Sequence, residues 1–537
     1  MKFLIAILFF SLILRTVMLG VRPLGFTWDE AAHGYNAYSL LKTGRDEYGK
    51  ILPLVLKSFG DYKPGLYTYF AVPSIGLFGL NEFATRLPSA VFGTLLVAVI
   101  YLFTKYLTSY PSPSLGEGGP SRVGEVWAKI SALLLAINPW AIQFSRGSWE
   151  ANLSLLLTTL GAVLFIRKRF WLSALFFGLT FWVYQGAKMF TPLLIISLVL
   201  IYRPIIKSLI RPLLLLLLLL LPIGLGFSTQ SGRLKVFSVF SYTRSADVTD
   251  EIKHQDSNPL YFPLFHSEGF DQLRGITRRY LNHLSPYYLF VAGDWTNLRQ
   301  SIPYYGYFHL PEIVTIIIGF GLLISNLKSP FSKLLLAWLL LAILPSALSR
   351  DLVSGVRSLP MVIPLTIISA IGLSQLANKK TLLLLYFFTL TLFFVYFLDL
   401  YFLHSPYFTG KDWLYPYKPA LQLVSQYQDK YNRIIFTNTL GQPYIFMLFY
   451  YKIDPATYQT QSKLVADAQG DVGQITKYGK FVFKRVDWPA ERGDSSTIFV
   501  GDQFELPEQD MDPTNLIRLG DIYYPNGAHA LRIVVLE

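Results

Sequence analysis

The chain of 537 residues contains no cysteine, which excludes disulfides and thiolate metal sites and leaves the redox compartment open. Charge is also scarce. Asp, Glu, Lys and Arg make up 15% of the residues and hydrophobic residues 52%, whereas charged residues are roughly a quarter of a soluble domain. An ordinary soluble globule is excluded, and a polytopic helical membrane protein is expected. No basic helix or aromatic-basic groove accompanies the net charge of +13, so nucleic acid is not an expected partner. The basic residues instead cluster in short loops between apolar runs, where they set membrane orientation.

Apolar runs suggest about eleven spans, near 3–21, 83–107, 126–144, 151–166, 170–186, 189–202, 212–228, 311–325, 334–348, 360–377 and 381–401. Arg15 interrupts the far end of the first run and no small-residue cleavage pattern follows, so a retained helix is expected rather than a signal peptide. Segment 65–80 is apolar but short and interrupted by Pro73, and is expected to lie in the outer interface. Loops carrying Arg167, Lys168 and Arg169, then Arg203, Lys207 and Arg211, then Lys328 and Lys333, then Lys379 and Lys380 mark the cytoplasmic side. By parity the N-terminus is cytoplasmic, and the loops 22–82 and 229–310 face outward. The Pro-, Gly- and Ser-rich loop 109–125 reads as a cytoplasmic insertion without chemistry, and the nine leucines at 213–221 as a generic helix.

These boundaries separate a transmembrane domain, 1–402, from a small extracytoplasmic α/β domain, 403–537. In the latter, 418–431 has helical spacing, RIIFTN (433–438) and STIFVGD (496–502) read as buried strands, and Asn526-Gly527 signals a hairpin.

The same topology gathers polar residues on the outer face. Asp29, Glu30 and His33 lie in WDEAAHGYNAYSLLKTGRDEYG, Lys63 and Arg86 flank the interfacial segment, and Arg146 and Glu150 stand in SRGSWEAN. VYQGAKMF supplies Tyr184 and Lys188, and SRDLVSGVRSLP supplies Arg350, Asp351 and Arg357. Outer basic residues run against the orientation bias, and an anion at headgroup depth would account for them. Acid pairs can take a proton from a hydroxyl or hold a divalent cation. Asp29 and Glu30 diverge by about 100° on a helix and seldom chelate one ion together, while both also suit a helix N-terminus. Asp29 with His283 is the candidate pair for a divalent metal, although no HxxxH spacing supports it. Asp46 and Glu47, after the Thr43-Gly44 helix stop, read as a solvated turn.

The first-loop acid pair, DYKPGLYTYF, FGLNEFATRLPSAVFG, SRGSWEAN, LFVAGDWTNLRQSIPYYGYFHLPE and SALSRDLVSGVRSLPMVIPL together resemble family 39 of the GT-C glycosyltransferases. That branch includes protein O-mannosyltransferases and the lipid A aminoarabinose transferase. The resemblance covers residues 1–400 and implies a plasma-membrane enzyme that moves a sugar from a polyprenyl-phosphate donor to an extracytoplasmic acceptor, usually with inversion. It implies Asp29 as the acid activating the acceptor, Glu30 as its support, Glu150 as the second-loop acid, Lys63 on the carrier phosphate and Arg357 as a further phosphate or loop contact. Two residues depart from the family pattern: Glu150 stands where some relatives have Asp, and His33 where relatives have Arg or Tyr. No Gly-rich phosphate loop is present and no Asp-x-Asp occurs within 1–402, so no nucleotide cofactor is expected. A flippase for lipid-linked glycans and a polysaccharide ligase are the alternatives; the former predicts mid-span charges and internal repeats, and neither is found.

Overall fold

The computed structural model describes residues 2–59, 61–108, 122–225, 244–255, 258, 260–465, 473–511 and 515–537. Most of the 109–125 insertion, the end of the 212–228 run and the first part of the long outer loop lie outside these residues. The described chain is mostly helical, with one six-stranded sheet near the C-terminus.

Among the described residues three helices are long and apolar enough to cross a membrane, Glu82–Thr108, Pro330–Ala347 and Lys380–Thr409. Pro139–Ser145 and Glu150–Ile166, bent by 118°, together form a fourth candidate. Other expected spans form shorter apolar helices, among them Phe170–Thr180, Ala187–Tyr202 and Glu312–Ser325. The expected run 126–144 shows one cause of shortening. Arg122–Ile137 stops at Asn138, whose Oδ1 accepts from Ala141 N at 2.9 Å and caps the next helix, with Pro139 at its first position. The segment 65–80 forms the helix Leu66–Phe78, whose 13 residues are too few to span.

The described residues form two compact units. One comprises Met1–Ser11, Gly93–Phe144 and Ala151–Val395. Within it, the helices Glu312–Ser325 and Val362–Ser374 approach closely because Gly319 and Gly372 lack side chains; a Cβ at either would run into the facing backbone carbonyl of Ile368 or Thr315. Three polar side chains buried between these helices pair: Ser369 Oγ lies 3.0 Å from Glu312 Oε2 and 2.8 Å from Thr315 Oγ1.

The other unit comprises Leu12–Phe92, Ser145–Glu150 and Tyr396–Glu537. Its sheet centres on Arg433–Phe436, which runs parallel to Phe481–Phe483 on one side and to Thr497–Gly501 on the other. His529–Leu536 pairs antiparallel with Thr497–Gly501 and with Leu516–Tyr523, and Gly527, at φ +82°, makes the turn expected at Asn526-Gly527. Alternation divides the strand residues between two cores. Ile434, Phe436, Ile498 and Val500 enter a cluster with Phe26, Tyr35, Tyr417 and Phe446, whereas Ile435 and Phe499 pack with Val486 and Trp488 on the opposite face. The first outer loop thus shares its core with the C-terminal sheet, a grouping that a boundary at 402 does not anticipate.

Candidate active site on the acidic helix

The helix Trp28–Thr43 begins at a capping box: Thr27 Oγ1 accepts from Glu30 N at 3.2 Å, and Glu30 Oε2 accepts from Thr27 N at 3.1 Å. It ends at Gly44, in the left-handed region at φ +68°. This start fixes the roles of the adjacent acids. Glu30 is turned inward, where its carboxylate takes Arg86 Nε at 2.8 Å, Arg86 Nη2 at 3.0 Å and Ser148 N at 3.1 Å. Both groups are buried, and the remaining donors of Arg86 reach the carbonyls of Leu19, Pro23 and Gly25. Glu30 and Arg86 therefore tie the first loop together, and neither presents a free group to a substrate.

Asp29 is different. Its side chain is 41% exposed and pairs with Lys63, whose side chain is 10% exposed. Lys63 is delivered by the hairpin Val55–Ser58/Asp61–Pro64, in register opposite Leu56, with its ammonium 5.3 Å from the Phe59 ring centre. One turn beyond Asp29, on the same face, stands His33. Its Nε2 lies 3.1 Å from Glu150 Oε1 and its Nδ1 2.9 Å from Thr68 Oγ1. With the carboxylate accepting, Nε2 carries the hydrogen and the Thr68 hydroxyl donates to Nδ1. Asp29, His33, Asn36, Ser58, Lys63 and Thr68 line one small recess. Ser58 Oγ is buried there without a hydrogen-bond partner. The sequence placed His33 on the outer face without giving it a role, and Thr68, Asn36 and Ser58 were missed; the i, i+4 spacing of Asp29 and His33 was the available signal.

Arg146 is a clamp. It is fully buried, donates to Leu14 O at 2.7 Å, Val17 O at 2.6 Å and Arg22 O at 3.3 Å, and reaches Tyr401 Oη at 3.1 Å. Carbonyls in and beyond the last turn of the first helix thus find donors. Asp46 and Glu47 do not form a solvated turn. Both are buried, and Asp46 Oδ1 accepts from Tyr48 N at 3.0 Å and Lys50 N at 2.8 Å. Burial raises the Glu47 carboxyl to about 8, and neither of its oxygens has a hydrogen-bond partner. The neighbouring Asn36 amide is committed to Ala32 O, at 3.0 Å.

Tyr184, Lys188, His283 and Arg357 belong to the first unit. Tyr184 and Arg357 line one recess there, and Lys188 lies half-buried in the first turn of Ala187–Tyr202. Arg357 pairs with Asp351 and reaches Ser349 Oγ at 3.3 Å. Its loop is fixed by two residues that sequence reasoning missed. Asp294 Oδ2 accepts from Gly355 N at 3.0 Å, and Gln300 Oε1 accepts from Val356 N at 2.7 Å. His283 does not supply a free metal ligand. Nε2 accepts from Ser354 N at 3.1 Å and lies 2.7 Å from Ser346 Oγ, which leaves Nδ1 to donate to Arg279 O at 2.6 Å. Burial lowers this imidazole to about 4. Among the described residues no three His, Asp or Glu side chains group to hold a metal ion.

No family model matches the sequence, and no curated protein matches it. Two solved structures are similar over the whole length: ArnT from Cupriavidus metallidurans bound to undecaprenyl phosphate, and the same protein in the apo state. Each aligns with a TM-score of 0.54 and 13% identity, covering 100% of this chain and 98% of that chain. The chain has an ArnT-like fold. At this identity the likeness is one of architecture.

Proposed function

We propose that this protein is a multi-pass plasma-membrane glycosyltransferase that moves a sugar from a polyprenyl-phosphate donor to an acceptor outside the cytoplasm, with inversion. The observation that carries this reading is the Asp29–Lys63 pair. Of the acids beside the recess, Glu30 is consumed by Arg86 and Glu150 is held by His33, while Asp29 is half-exposed and pairs with a lysine that an incoming phosphate can recruit. Fold likeness to a protein crystallised with undecaprenyl phosphate supports a lipid-linked donor.

In the resting site Lys63 neutralises Asp29. When the donor enters, its phosphate competes for the ammonium, and Asp29 is released beside the acceptor hydroxyl. Asp29 then takes the hydroxyl proton as the acceptor oxygen bonds to the anomeric carbon. The bond from that carbon to the phosphate oxygen breaks, its electron pair stays on the lipid phosphate, and Lys63 stabilises the departing charge. The His33–Glu150 pair positions the wall of the recess. Tyr184, Lys188 and Arg357 are proposed as donor contacts. Among the described residues no three His, Asp or Glu side chains group around this recess, and the proton and phosphate steps are assigned to Asp29 and Lys63.

The test supplies purified protein with polyprenyl-phosphate sugars and an extracytoplasmic extract and follows labelled acceptor. Asp29→Asn is expected to lower transfer by about 10²–10⁴-fold, and Lys63→Ala to impair donor use more than acceptor use. Full transfer by Asp29→Asn would sink the assignment.

A further inference from the structure

The strongest feature outside this site is an arginine-lined recess beside the helix Glu268–Leu284. Arg244, Arg279 and Arg350 line it with Glu268, Asp271 and Gly275, and its volume is about 310 Å³. The two carboxylates are already engaged. Asp271 pairs with Arg244 and, at 2.9 Å, with Arg274, while Glu268 Oε1 accepts from Arg244 N at 3.1 Å. Arg279 and Arg350 are left over.

Arg279 is 9% exposed, and its Nε donates to Ala347 O at 2.9 Å, which fixes the guanidinium. Its Nη2 is buried without a hydrogen-bond partner. Leaving a charged donor so placed is costly, and an anion would relieve it. Gly275, one turn earlier, keeps space beside both amines: a Cβ there would stand 3.2 Å from Nη1 and 3.5 Å from Nη2. Arg350 is exposed at the rim and has no ion-pair or hydrogen-bond partner among the described residues, because the adjacent Asp351 is taken by Arg357.

The outer face of the same helix indicates where the anion comes from. Phe270, Leu273 and Leu281 are 39%, 60% and 59% exposed, and they alternate with the exposed Arg274 and Arg278. Just upstream, Leu264 and Phe265 are exposed as well. Apolar side chains interleaved with arginines on one helix face suit the headgroup–acyl boundary of a bilayer. We propose that Arg279 and Arg350 form a binding site for the phosphate of an anionic membrane phospholipid, at the headgroup depth set by the exposed apolar face of Glu268–Leu284 resting in the bilayer boundary. The planar guanidinium of Arg279 presents paired donors to two phosphate oxygens, and Arg350 closes the site from the rim.

The test equilibrates the full-length protein with phosphatidylcholine vesicles carrying phosphatidylglycerol and counts retained lipid by native mass spectrometry. Wild type should retain phosphatidylglycerol over phosphatidylcholine. Arg350→Gln, an exposed change that leaves the fold alone, should weaken retention by about tenfold, the loss of one charge-assisted contact. Gly275→Leu, which fills the space beside Arg279 while keeping both charges, should weaken it similarly. Unchanged retention in both variants would overturn the site. A parallel arm offers inorganic phosphate; Arg350-dependent binding of phosphate as tight as that of the lipid would overturn the assignment to a headgroup.

Discussion

At the scale of single residues, the neighbours Asp29 and Glu30 separate by environment. Glu30→Gln removes one partner of a buried bidentate pair and is expected to destabilise the protein by about 3–5 kcal/mol, measured as a loss of thermal stability in detergent. Asp29→Asn removes a half-exposed charge and should leave stability nearly unchanged while transfer collapses. If both variants lost activity and stability in parallel, the division of roles would be wrong. Glu47 makes a pH-dependent prediction. Its folded carboxyl titrates near 8 rather than near 4.5, so the folded state holds a proton that the unfolded state releases. Its contribution to stability is complete below the unfolded value and is lost as pH rises through about 8. Glu47→Gln should therefore flatten the decline in melting temperature between pH 5 and 8, where the group contributes a slope of up to about 1.4 kcal/mol per pH unit.

At the scale of elements, the capping box that starts Trp28–Thr43 also sets the rotation of the helix, sending Glu30 inward and Asp29, His33 and Asn36 toward the recess. Thr27→Ala should cost about 1 kcal/mol of stability and loosen the site with it. The crossing of Glu312–Ser325 with Val362–Ser374 is less forgiving. Gly372→Val places a branched side chain against the Thr315 carbonyl, and the close approach cannot be retained. A marked fall in folded yield is expected, and a well-behaved variant would show that the two helices separate at little cost. The C-terminal strands were legible because the short, β-branched and aromatic apolar runs in RIIF and TIFVG and the Asn-Gly turn are local signals. The break at Asn138 was not, because the apolar run continues through it and only the cap geometry ends the helix.

For the whole molecule, composition and parity predict an outward-facing C-terminal segment. The absence of native cysteine makes the measurement direct: one cysteine introduced near residue 430 should react with an impermeant maleimide from outside the cell. Labelling only from the cytoplasmic side would invert the topology. Low charge, long apolar runs and outer-loop acids and bases are properties of composition and order, so the sequence by itself determined a strongly apolar, mostly helical chain with an acidic first loop. Which carboxylate is available depended on partners far along the chain. Arg86, 56 residues from Glu30, neutralises it, and Ser148, 118 residues away, adds a backbone donor. Glu47 looked like a solvent-facing acid because nothing local hides it, yet residues from the C-terminal segment share the core of its unit. Burial and ion pairing are properties of three-dimensional neighbours, and only the tertiary structure decided which of these acids are tied into the fold and which stays half-exposed.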